Sequence, residues 1–342
     1  MRIEDFDFEL PEEQIAQQPL AERSASRMLV VDRAGDAFSD RMFADFPQLL
    51  RSGDTLVLNN TKVFPARIFG KTETGARIEI FLVRNVDRNR WEALARPGRR
   101  LKIGRRIEFD ENFSATVVEK TEDGHLIVEF DGNADFDDAL DRVGRTPLPP
   151  YIKRDSEQPG ERERYQTVFA SERGAIAAPT AGLHFTPAIL DEIKAAGVTV
   201  TEITLHVGYG TFEPVRVSDL SQHRVMGESY QISEAAADAL NRARTGSGRL
   251  IAVGTTVTRT LEHLANVGGE YRAGRGTADL TITPGYRFQA IDGILTNFHL
   301  PKSSLLVLVS TFGGHELIMN AYGHAVADRY RFYSYGDCSF VS

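Results

Sequence analysis

Several features that mark common protein classes are missing from this 342-residue sequence. It contains a single cysteine, Cys338, which excludes an internal disulfide and a cysteine-based zinc site. No run of about 18 apolar residues is present, so no membrane-spanning helix is expected. The first residues are acidic and lack an apolar stretch, so no secretory signal is predicted there. These absences favour a cytoplasmic protein.

Common enzyme signatures are also missing. Gly208-Tyr-Gly210 is only Gly-x-Gly, so a dinucleotide-binding fold is not indicated. Ser303 and Ser310 lie outside any Gly-x-Ser-x-Gly motif, which disfavours a Ser/His/Asp hydrolase. The histidines show no His-x-x-x-His spacing, so no metal site is predicted.

The charge is unevenly distributed along the chain, whose net charge is −8. Residues 62–106 contain 13 Lys/Arg and 4 Asp/Glu, whereas residues 107–145 contain 12 acidic and 3 basic residues. A basic segment on an acidic protein is typical of a local phosphate-binding surface. The acidic segment offers an alternative, because the two sets of charges would pair across strands of one small barrel.

Alternating apolar residues predict short strands between residues 62 and 130. The pattern Ile78/Ile80/Leu82 recurs in later segments, and turn-forming residues such as Pro97-Gly98 separate them. Strands at this spacing predict a small antiparallel β-barrel.

From about residue 165 the pattern changes to alternating helices and strands. Thr186, Ser233 and Ser303 or Ser304 are placed to cap helices, and apolar strands are predicted at 198–207, 249–254 and 330–341. We therefore predict an α/β fold in which a mixed-sheet main domain, residues 1–61 plus 146–342, carries an inserted antiparallel barrel, residues 62–145.

Two blocks place polar residues among apolar ones. Residues 178–186 read Ala-Pro-Thr-Ala-Gly-Leu-His-Phe-Thr, and residues 296–304 read Thr-Asn-Phe-His-Leu-Pro-Lys-Ser-Ser. Polar groups cost free energy when removed from water unless they are paired. The needs of a hydrophobic core do not explain polar residues in these positions. The two blocks therefore predict a shared, half-buried polar pocket.

These blocks resemble those of the S-adenosylmethionine:tRNA ribosyltransferase-isomerases, enzymes of queuosine biosynthesis. Four further stretches match in family order across nearly the whole chain: 58–67 (LNNTKVFPAR), 206–215 (HVGYGTFEPV), 254–262 (GTTVTRTLE) and 330–337 (YRFYSYGD).

The resemblance implies a reaction and its partners. S-adenosylmethionine would donate its ribosyl group to 7-aminomethyl-7-deazaguanine at the wobble position of a tRNA anticodon, giving epoxyqueuosine, adenine and methionine. S-adenosylmethionine would be a consumed co-substrate, and no permanently bound cofactor is implied. The family-level expectation is a monomer.

Such a reaction needs a base, a donor to adenine and groups that hold anions. Imidazole suits proton transfer near neutral pH, although a single histidine is more often a structural residue. We assign His184 or His299 as base or proton shuttle. The alternative carboxylate bases or sulfonium partners are Glu213, Asp292 and Asp337.

Further polar residues are candidates for substrate binding. Gly254-Thr-Thr follows a strand and opens a helix, where free N–H groups bind anions, although an ordinary capped turn explains the same spacing. The substrate-binding candidates are Thr180, Thr186, His206, Tyr209, Thr211, Thr255, Arg259, Asn297, Lys302 and Ser303. The tRNA-binding candidates are Lys62, Arg67, Arg99, Arg100, Arg105 and Arg106.

Two other functions remain open at this stage. An S-adenosylmethionine-dependent RNA methyltransferase would use the same co-substrate, but the glycine-rich first βα loop is absent. A non-catalytic RNA-binding protein would explain the basic segment but not the histidine-containing blocks.

Overall fold

The structure, a computed structural model, describes residues 1–98, 101–131, 135–154, 157–208, 215 and 217–342. Its strands are β1 Arg27–Asp32, β2 Ala37–Met42, β3 Thr55–Asn59, β4 Thr61–Val63, β5 Arg67–Thr72, β6 Arg77–Asp87, β7 Arg90–Arg96, β8 Arg106–Asp110, β9 Phe113–Lys120, β10 Leu126–Phe130, β11 Gly144–Arg145, β12 Glu172–Ala175, β13 Thr199–His206, β14 Glu228–Ile232, β15 Leu250–Val253, β16 Gly274–Ala278, β17 Gly293–Asn297 and β18 Cys338–Val341. Its α-helices are α1 Phe46–Leu49, α2 Phe136–Val143, α3 Glu161–Arg164, α4 Pro187–Ala195, α5 Glu234–Thr245, α6 Thr255–Val267, α7 Ser304–Gly313 and α8 His315–Ala327.

Within the described residues, a nine-stranded mixed sheet forms the centre of the molecule, in the order β16-β14-β13-β3-β15-β17-β18-β1-β2. The four strands β13, β3, β15 and β17 are parallel. Strands β3, β15 and β17 are buried along their whole length, as expected for apolar strands covered on both faces. The predicted mixed α/β sheet is confirmed.

Strands β5 to β10 form the predicted antiparallel barrel. The order β5-β6-β7-β10-β9-β8 closes because β8 also pairs with β5, and β11 extends the sheet beside β5. The alternating residues Ile78, Ile80 and Leu82 are buried and point into the barrel core. The barrel prediction is therefore confirmed.

Local signals determine where several helices begin. The side chains of Thr186, Ser233 and Ser303 accept hydrogen bonds from backbone N–H groups in the first turns of α4, α5 and α7. Each cap satisfies a donor that has no partner within the helix.

The prediction of one strand over residues 330–341 is wrong in its first part, since only Cys338–Val341 is a strand. Residues 330–337 form a turn that the Asp337 carboxylate holds by accepting N–H hydrogen bonds from Arg27 and Arg331, at 2.9 and 2.8 Å. The described chain has no helix with the length and apolar content needed to cross a bilayer.

Candidate functional site

A cavity opens where the parallel strands of the central sheet end. The last residues of β3, β15 and β17, which are Asn59, Val253 and Asn297, line it together with Val207, which follows β13. The space around these residues is about 720 Å³, open solvent at its mouth included. Carboxyl ends of parallel strands are the usual binding edge of an α/β sheet. We call this space the main cavity.

The first turn of α6 forms one wall of the main cavity. Gly254 has φ 94° and ψ 151°, a backbone region that is almost restricted to glycine. The first backbone bond within the helix runs from Thr258 N to the Gly254 carbonyl, at 3.1 Å. Among the described residues, no side chain caps this helix. The N–H groups of Thr255 to Val257 are therefore available to an anion.

Asn297 lines the main cavity and, within the described part of the chain, has an unpaired amide oxygen. Its amide nitrogen donates to the Tyr333 carbonyl at 3.1 Å and lies 3.3 Å from His184 Nε2. Its amide oxygen is buried and has no partner among the described residues. Since the side chain is only 3% exposed, this oxygen carries the cost of an unpaired buried acceptor. A ligand that supplies a donor would remove that cost.

His299 lies against the main cavity with a neutral ring. Its Nε2 lies 3.0 Å from the hydroxyl of Thr296, and within the described part of the chain Nδ1 has no hydrogen-bond partner. Burial lowers the pKa of His299 to about 3. If Nε2–H donates to Thr296, the lone pair lies on Nδ1, so the ring is a proton acceptor at neutral pH.

His184 lies behind Asn297. Its Nδ1 is 2.9 Å from the Ser26 hydroxyl, and its Nε2 faces the Asn297 amide. Burial, with smaller effects of Arg23 and Arg331, lowers its pKa to about 3. The ring lines a second, smaller cavity, and its contact with the main cavity is through Asn297.

A tyrosine wall faces these polar groups. Tyr151, Tyr165 and Tyr333 line the main cavity, and the rings of Tyr151 and Tyr333 meet edge to face with centroids 3.9 Å apart. The Tyr151 hydroxyl is hydrogen bonded to Ser334. Tyr333 has φ 76°, an unusual backbone for a bulky residue and one associated with functional sites.

Sequence reasoning missed this wall, because aromatic residues are usually assigned to the core. One signal was present: Tyr333 lies in the 330–337 stretch, from which only Asp337 was selected.

The structure brings some predicted site residues together. Thr180, Thr255, Asn297 and His299 all line the main cavity. His206, at the end of β13, instead places Nδ1 2.9 Å from the Thr61 hydroxyl.

Other predicted residues have structural partners away from the main cavity. Thr186 and Ser303 are the helix caps described above. The Lys302 ammonium is exposed and lies 2.7 Å from the Asp7 carboxylate. Arg259 forms a buried ion pair with Glu228 at 3.0 Å.

The carboxylate candidates also lie outside the cavity lining. Asp292 precedes β17, so it lies at the opposite edge of the sheet, where its carboxylate accepts the Leu250 N–H at 2.8 Å. Asp337 is at the correct edge, but its two oxygens accept the N–H groups of Arg27 and Arg331. Tyr209, Thr211 and Glu213 lie outside the described residues.

The basic residues of the barrel are partly paired. Arg67 lies 2.8 Å from Glu79, Arg105 lies 3.4 Å from Glu73, and Arg106 lies 3.0 Å from Asp131. Lys62 is exposed on β4. Arg99 and Arg100 lie outside the described residues. Of these three pairs, only Arg106–Asp131 joins the basic segment to the acidic one, as the alternative for this segment predicts.

One group of described side chains, Asp40, His324 and Asp328, places three potential metal ligands within 4.8 Å of one another. The Arg27 guanidinium lies 3.4 Å from an Asp40 oxygen, and the Tyr330 hydroxyl donates to the same carboxylate at 2.5 Å. A cation and a donor thus already satisfy this carboxylate.

Comparison with known proteins gives consistent results. The family model described as "Queuosine biosynthesis protein" matches residues 3–341. The S-adenosylmethionine:tRNA ribosyltransferase-isomerases of Symbiobacterium thermophilum and Syntrophotalea carbinolica are 51% and 50% identical to the chain, with 100% of both proteins covered in each case. The crystal structure of an S-adenosylmethionine tRNA ribosyltransferase from Thermotoga maritima matches with a TM-score of 0.58 and 35% identity over 99% of this chain and 100% of that one.

Proposed function

Since the chain belongs to the queuosine biosynthesis family of S-adenosylmethionine:tRNA ribosyltransferase-isomerases, we propose that its main cavity binds S-adenosylmethionine and holds the reacting ribose. The chain is an enzyme with this ribosyltransferase-isomerase activity in queuosine biosynthesis. The proposal concerns the substrates, the residues and their roles. The observation that carries it is the convergence of three free α6 N–H groups, the Asn297 oxygen and His299 on one cavity.

The amino-acid end of S-adenosylmethionine fits the corner between α6 and β17. Val253 pairs with Leu295, so Gly254 and Thr296 are neighbours, roughly 5 Å apart across the two strands. The α6 N–H groups would bind the carboxylate, and the Asn297 oxygen would accept a hydrogen bond from the ammonium group. Asn297 was predicted as a substrate-binding residue; because its amide nitrogen donates within the protein, we assign it as an acceptor.

The tyrosine wall suits the sulfonium. A cation over an aromatic face is stabilised by roughly 0.5–2 kcal/mol. The same rings and the surrounding apolar residues limit the access of water to reactive intermediates. We assign Tyr151, Tyr165 and Tyr333 to this role.

His299 is our candidate base. The sulfonium acidifies the adjacent ribose methylene, and the neutral imidazole would accept that proton to give an ylide. The ylide would expel the ring oxygen to give a vinyl sulfonium, and the anomeric carbon would become an aldehyde as adenine leaves with the proton held by His299. The tRNA aminomethyl nitrogen would add to the vinyl sulfonium and lose a proton, and the carbanion formed beside sulfur would attack the aldehyde to close the cyclopentane ring. The resulting alkoxide would displace methionine and close the epoxide. His184 would hold Asn297 in position rather than touch the substrate.

The acceptor that we propose is 7-aminomethyl-7-deazaguanine at the wobble position of a tRNA anticodon, which places the reaction in the cytoplasm. S-adenosylmethionine would be consumed, and we propose that the protein acts as a monomer. Light scattering of the purified protein measures the oligomeric state.

The barrel is proposed to bind the tRNA backbone through Lys62, Arg67, Arg105 and Arg106, with Arg99 and Arg100 as further candidates. Surface ion pairs are typically worth only about 0–1 kcal/mol, so these arginines would exchange carboxylate partners for phosphates at little cost. Affinity for tRNA that does not change with salt concentration would contradict this assignment.

The test of the reaction is mass spectrometry with the protein, S-adenosylmethionine and tRNA that carries 7-aminomethyl-7-deazaguanine. The expected products are adenine, methionine and a tRNA that has gained an epoxycyclopentanediol unit. A tRNA that gains only a methyl group would identify an RNA methyltransferase. Tight tRNA binding without any product would indicate a non-catalytic RNA-binding protein.

A further inference from the structure

A second cavity, about 290 Å³ with the open solvent at its mouth included, is lined by His184, by the segment around Arg23 and by the turn at Ser334–Gly336. Arg23, Arg164, Ser26 and Tyr335 are among its lining residues, and we call it the arginine pocket. It adjoins the main cavity, because Ser334 lines both cavities and His184, which lines the arginine pocket, contacts Asn297 of the main cavity at 3.3 Å. The proposed function assigns no ligand to this pocket.

The arginine pocket is positively charged. Within the part of the chain that the structure describes, neither Arg23 nor Arg164 has a carboxylate at ion-pair distance. Arg23 donates to the carbonyls of Leu183 and Glu163 at 3.0 and 2.9 Å. Burial and the nearby Arg164 charge lower the pKa of Arg23 to about 10, which still leaves it charged at neutral pH. The carboxylate of Glu22 also lines the pocket, but this residue is exposed.

Tyr335 adds a donor without a partner. The residue is 5% exposed, and its hydroxyl is buried with no hydrogen-bond partner among the described residues. Burial raises the pKa of Tyr335 above its ordinary value, so the group remains an O–H donor. A buried donor is costly when unpaired, and Tyr335 lines the pocket together with the two arginines.

We propose that the arginine pocket binds a phosphodiester group of the tRNA backbone next to the nucleotide that is modified. This inference rests on the proposed function, since it takes tRNA as the substrate. A phosphodiester supplies the anionic oxygens that two guanidinium groups and a phenol O–H recognise. Because Ser334 lines both cavities, a phosphate held here would fix the anticodon strand beside the reacting ribose.

The test compares tRNA binding by the full-length protein and three variants, Arg23→Gln, Arg164→Gln and Tyr335→Phe. Binding of tRNA carrying 7-aminomethyl-7-deazaguanine is measured by fluorescence anisotropy at several KCl concentrations. Each arginine variant should bind roughly tenfold more weakly, as expected for a lost charge-assisted hydrogen bond. The slope of log Kd against log salt should fall by about 0.7 for one phosphate contact on a single strand.

Two controls separate this role from a structural one. Arg242→Gln removes the charge of an exposed residue on α5 and should leave tRNA affinity nearly unchanged. Tyr335→Phe removes a hydroxyl that has no described partner, so Tm should not fall, whereas tRNA affinity should fall several-fold. This variant decides the question even if an arginine variant loses stability.

The outcomes are distinguishable from failure of the proposed function. If the wild-type protein modifies tRNA but the variants have unchanged tRNA affinity and an unchanged salt slope, only the phosphate assignment is overturned. A raised KM for S-adenosylmethionine with unchanged tRNA affinity would assign the pocket to the methionine carboxylate and also overturn it. Absence of product with wild-type protein would count against the proposed function, while the binding data would still decide this inference.

Discussion

Asn297 and His299 lie only two positions apart at the end of one strand, yet their polar groups have different surroundings. The Asn297 amide nitrogen is held by the protein, whereas its oxygen is unpaired. His299 is hydrogen bonded at Nε2. In each side chain, one polar group is hydrogen bonded within the protein and fixes the orientation, while the other can bind a ligand. Such hydrogen bonds hold a site in place before the substrate binds.

Replacement of His299 by Gln should slow the reaction. Gln keeps a group that can hydrogen bond with Thr296 but cannot act as a base. General-base catalysis typically contributes 10²–10⁴-fold, so kcat should fall on the order of 10²-fold with little change in the KM for S-adenosylmethionine. Single-turnover release of adenine measures this effect.

His184→Gln is the matched variant. Because His184 supports Asn297 from behind, it should raise the KM for S-adenosylmethionine as well as lower kcat. Near-normal turnover by His299→Gln would remove this histidine from the mechanism.

The two buried histidines should also make the protein less stable in acid. Their folded-state pKa values are about 3, against an ordinary value of 6.5. Below pH 6.5 the unfolded chain takes up protons that the folded chain excludes, so stability is full above pH 6.5 and is lost as the pH falls. Between pH 7 and pH 5 each histidine should remove about 2 kcal/mol from the free energy of unfolding.

Urea unfolding at the two pH values measures this loss. In His299→Gln, the loss between pH 7 and pH 5 should be smaller than in wild type by about 2 kcal/mol. Equal losses in both proteins would show that His299 titrates normally.

At the scale of single elements, helix α6 connects the fold to the site. Its N-terminal Gly254 and its C-terminal Gly268 both have positive φ, 94° and 82°, with extended ψ, 151° and 171°. Only the N-terminal end opens onto the main cavity. Both glycines therefore have a backbone conformation that other residues rarely adopt, but only Gly254 lies at the end of α6 that is proposed to contact the ligand.

Gly254→Ala should weaken S-adenosylmethionine binding, since the new side chain shifts the helix end that presents the N–H groups. Gly268→Ala is the matched control, with similar backbone strain of about 1–3 kcal/mol at the other end. Both variants should lower Tm, but only Gly254→Ala should raise the Kd for S-adenosylmethionine in calorimetry. An equal Kd in the two variants would contradict the role of the α6 N-terminus.

Elements with local signals could be predicted from the sequence, and contacts between distant segments could not. Caps such as Thr186 and Ser233 act within a few residues of themselves, and barrel strands show an alternation that does not depend on partners. Asp292 precedes β17 and therefore lies at the edge of the sheet opposite the main cavity. The sequence could not show this, because the direction of β17 is known only once its pairing with the neighbouring strands is known. Which Asn297 atom faces the cavity depends on the Tyr333 carbonyl, a contact made across 36 residues.

At the scale of the whole molecule, the barrel and the central sheet have separate apolar cores. The barrel core contains residues from Phe64 to Leu140, and Ile176 is the described member that comes from outside residues 62–145. Arg173 connects the two parts by ion pairs to Asp137 and Asp141, at 3.2 and 2.9 Å. We therefore keep the inserted barrel as a proposed separate folding unit.

Native-state hydrogen exchange should show this division. Amides of β5 to β10 should open together, with a free energy that differs from that of β3, β15 and β17, because the two groups share few apolar contacts. Arg173→Gln should weaken the connection between the barrel and the central sheet and increase the difference between their opening free energies. A single opening free energy for all strong amides would instead identify one cooperative unit.

The position of β18 has a consequence for how the protein is made. This strand, the last of the described fold, lies between β17 and β1 and pairs with both. During translation, the hairpin of β1 and β2 therefore emerges long before β18 has been synthesised. Until then the edge of β1 has no strand partner, which favours association with chaperones or with other nascent chains. The turn that positions Asn297 precedes β18 directly, so the main cavity assembles only after residue 337 has left the ribosome.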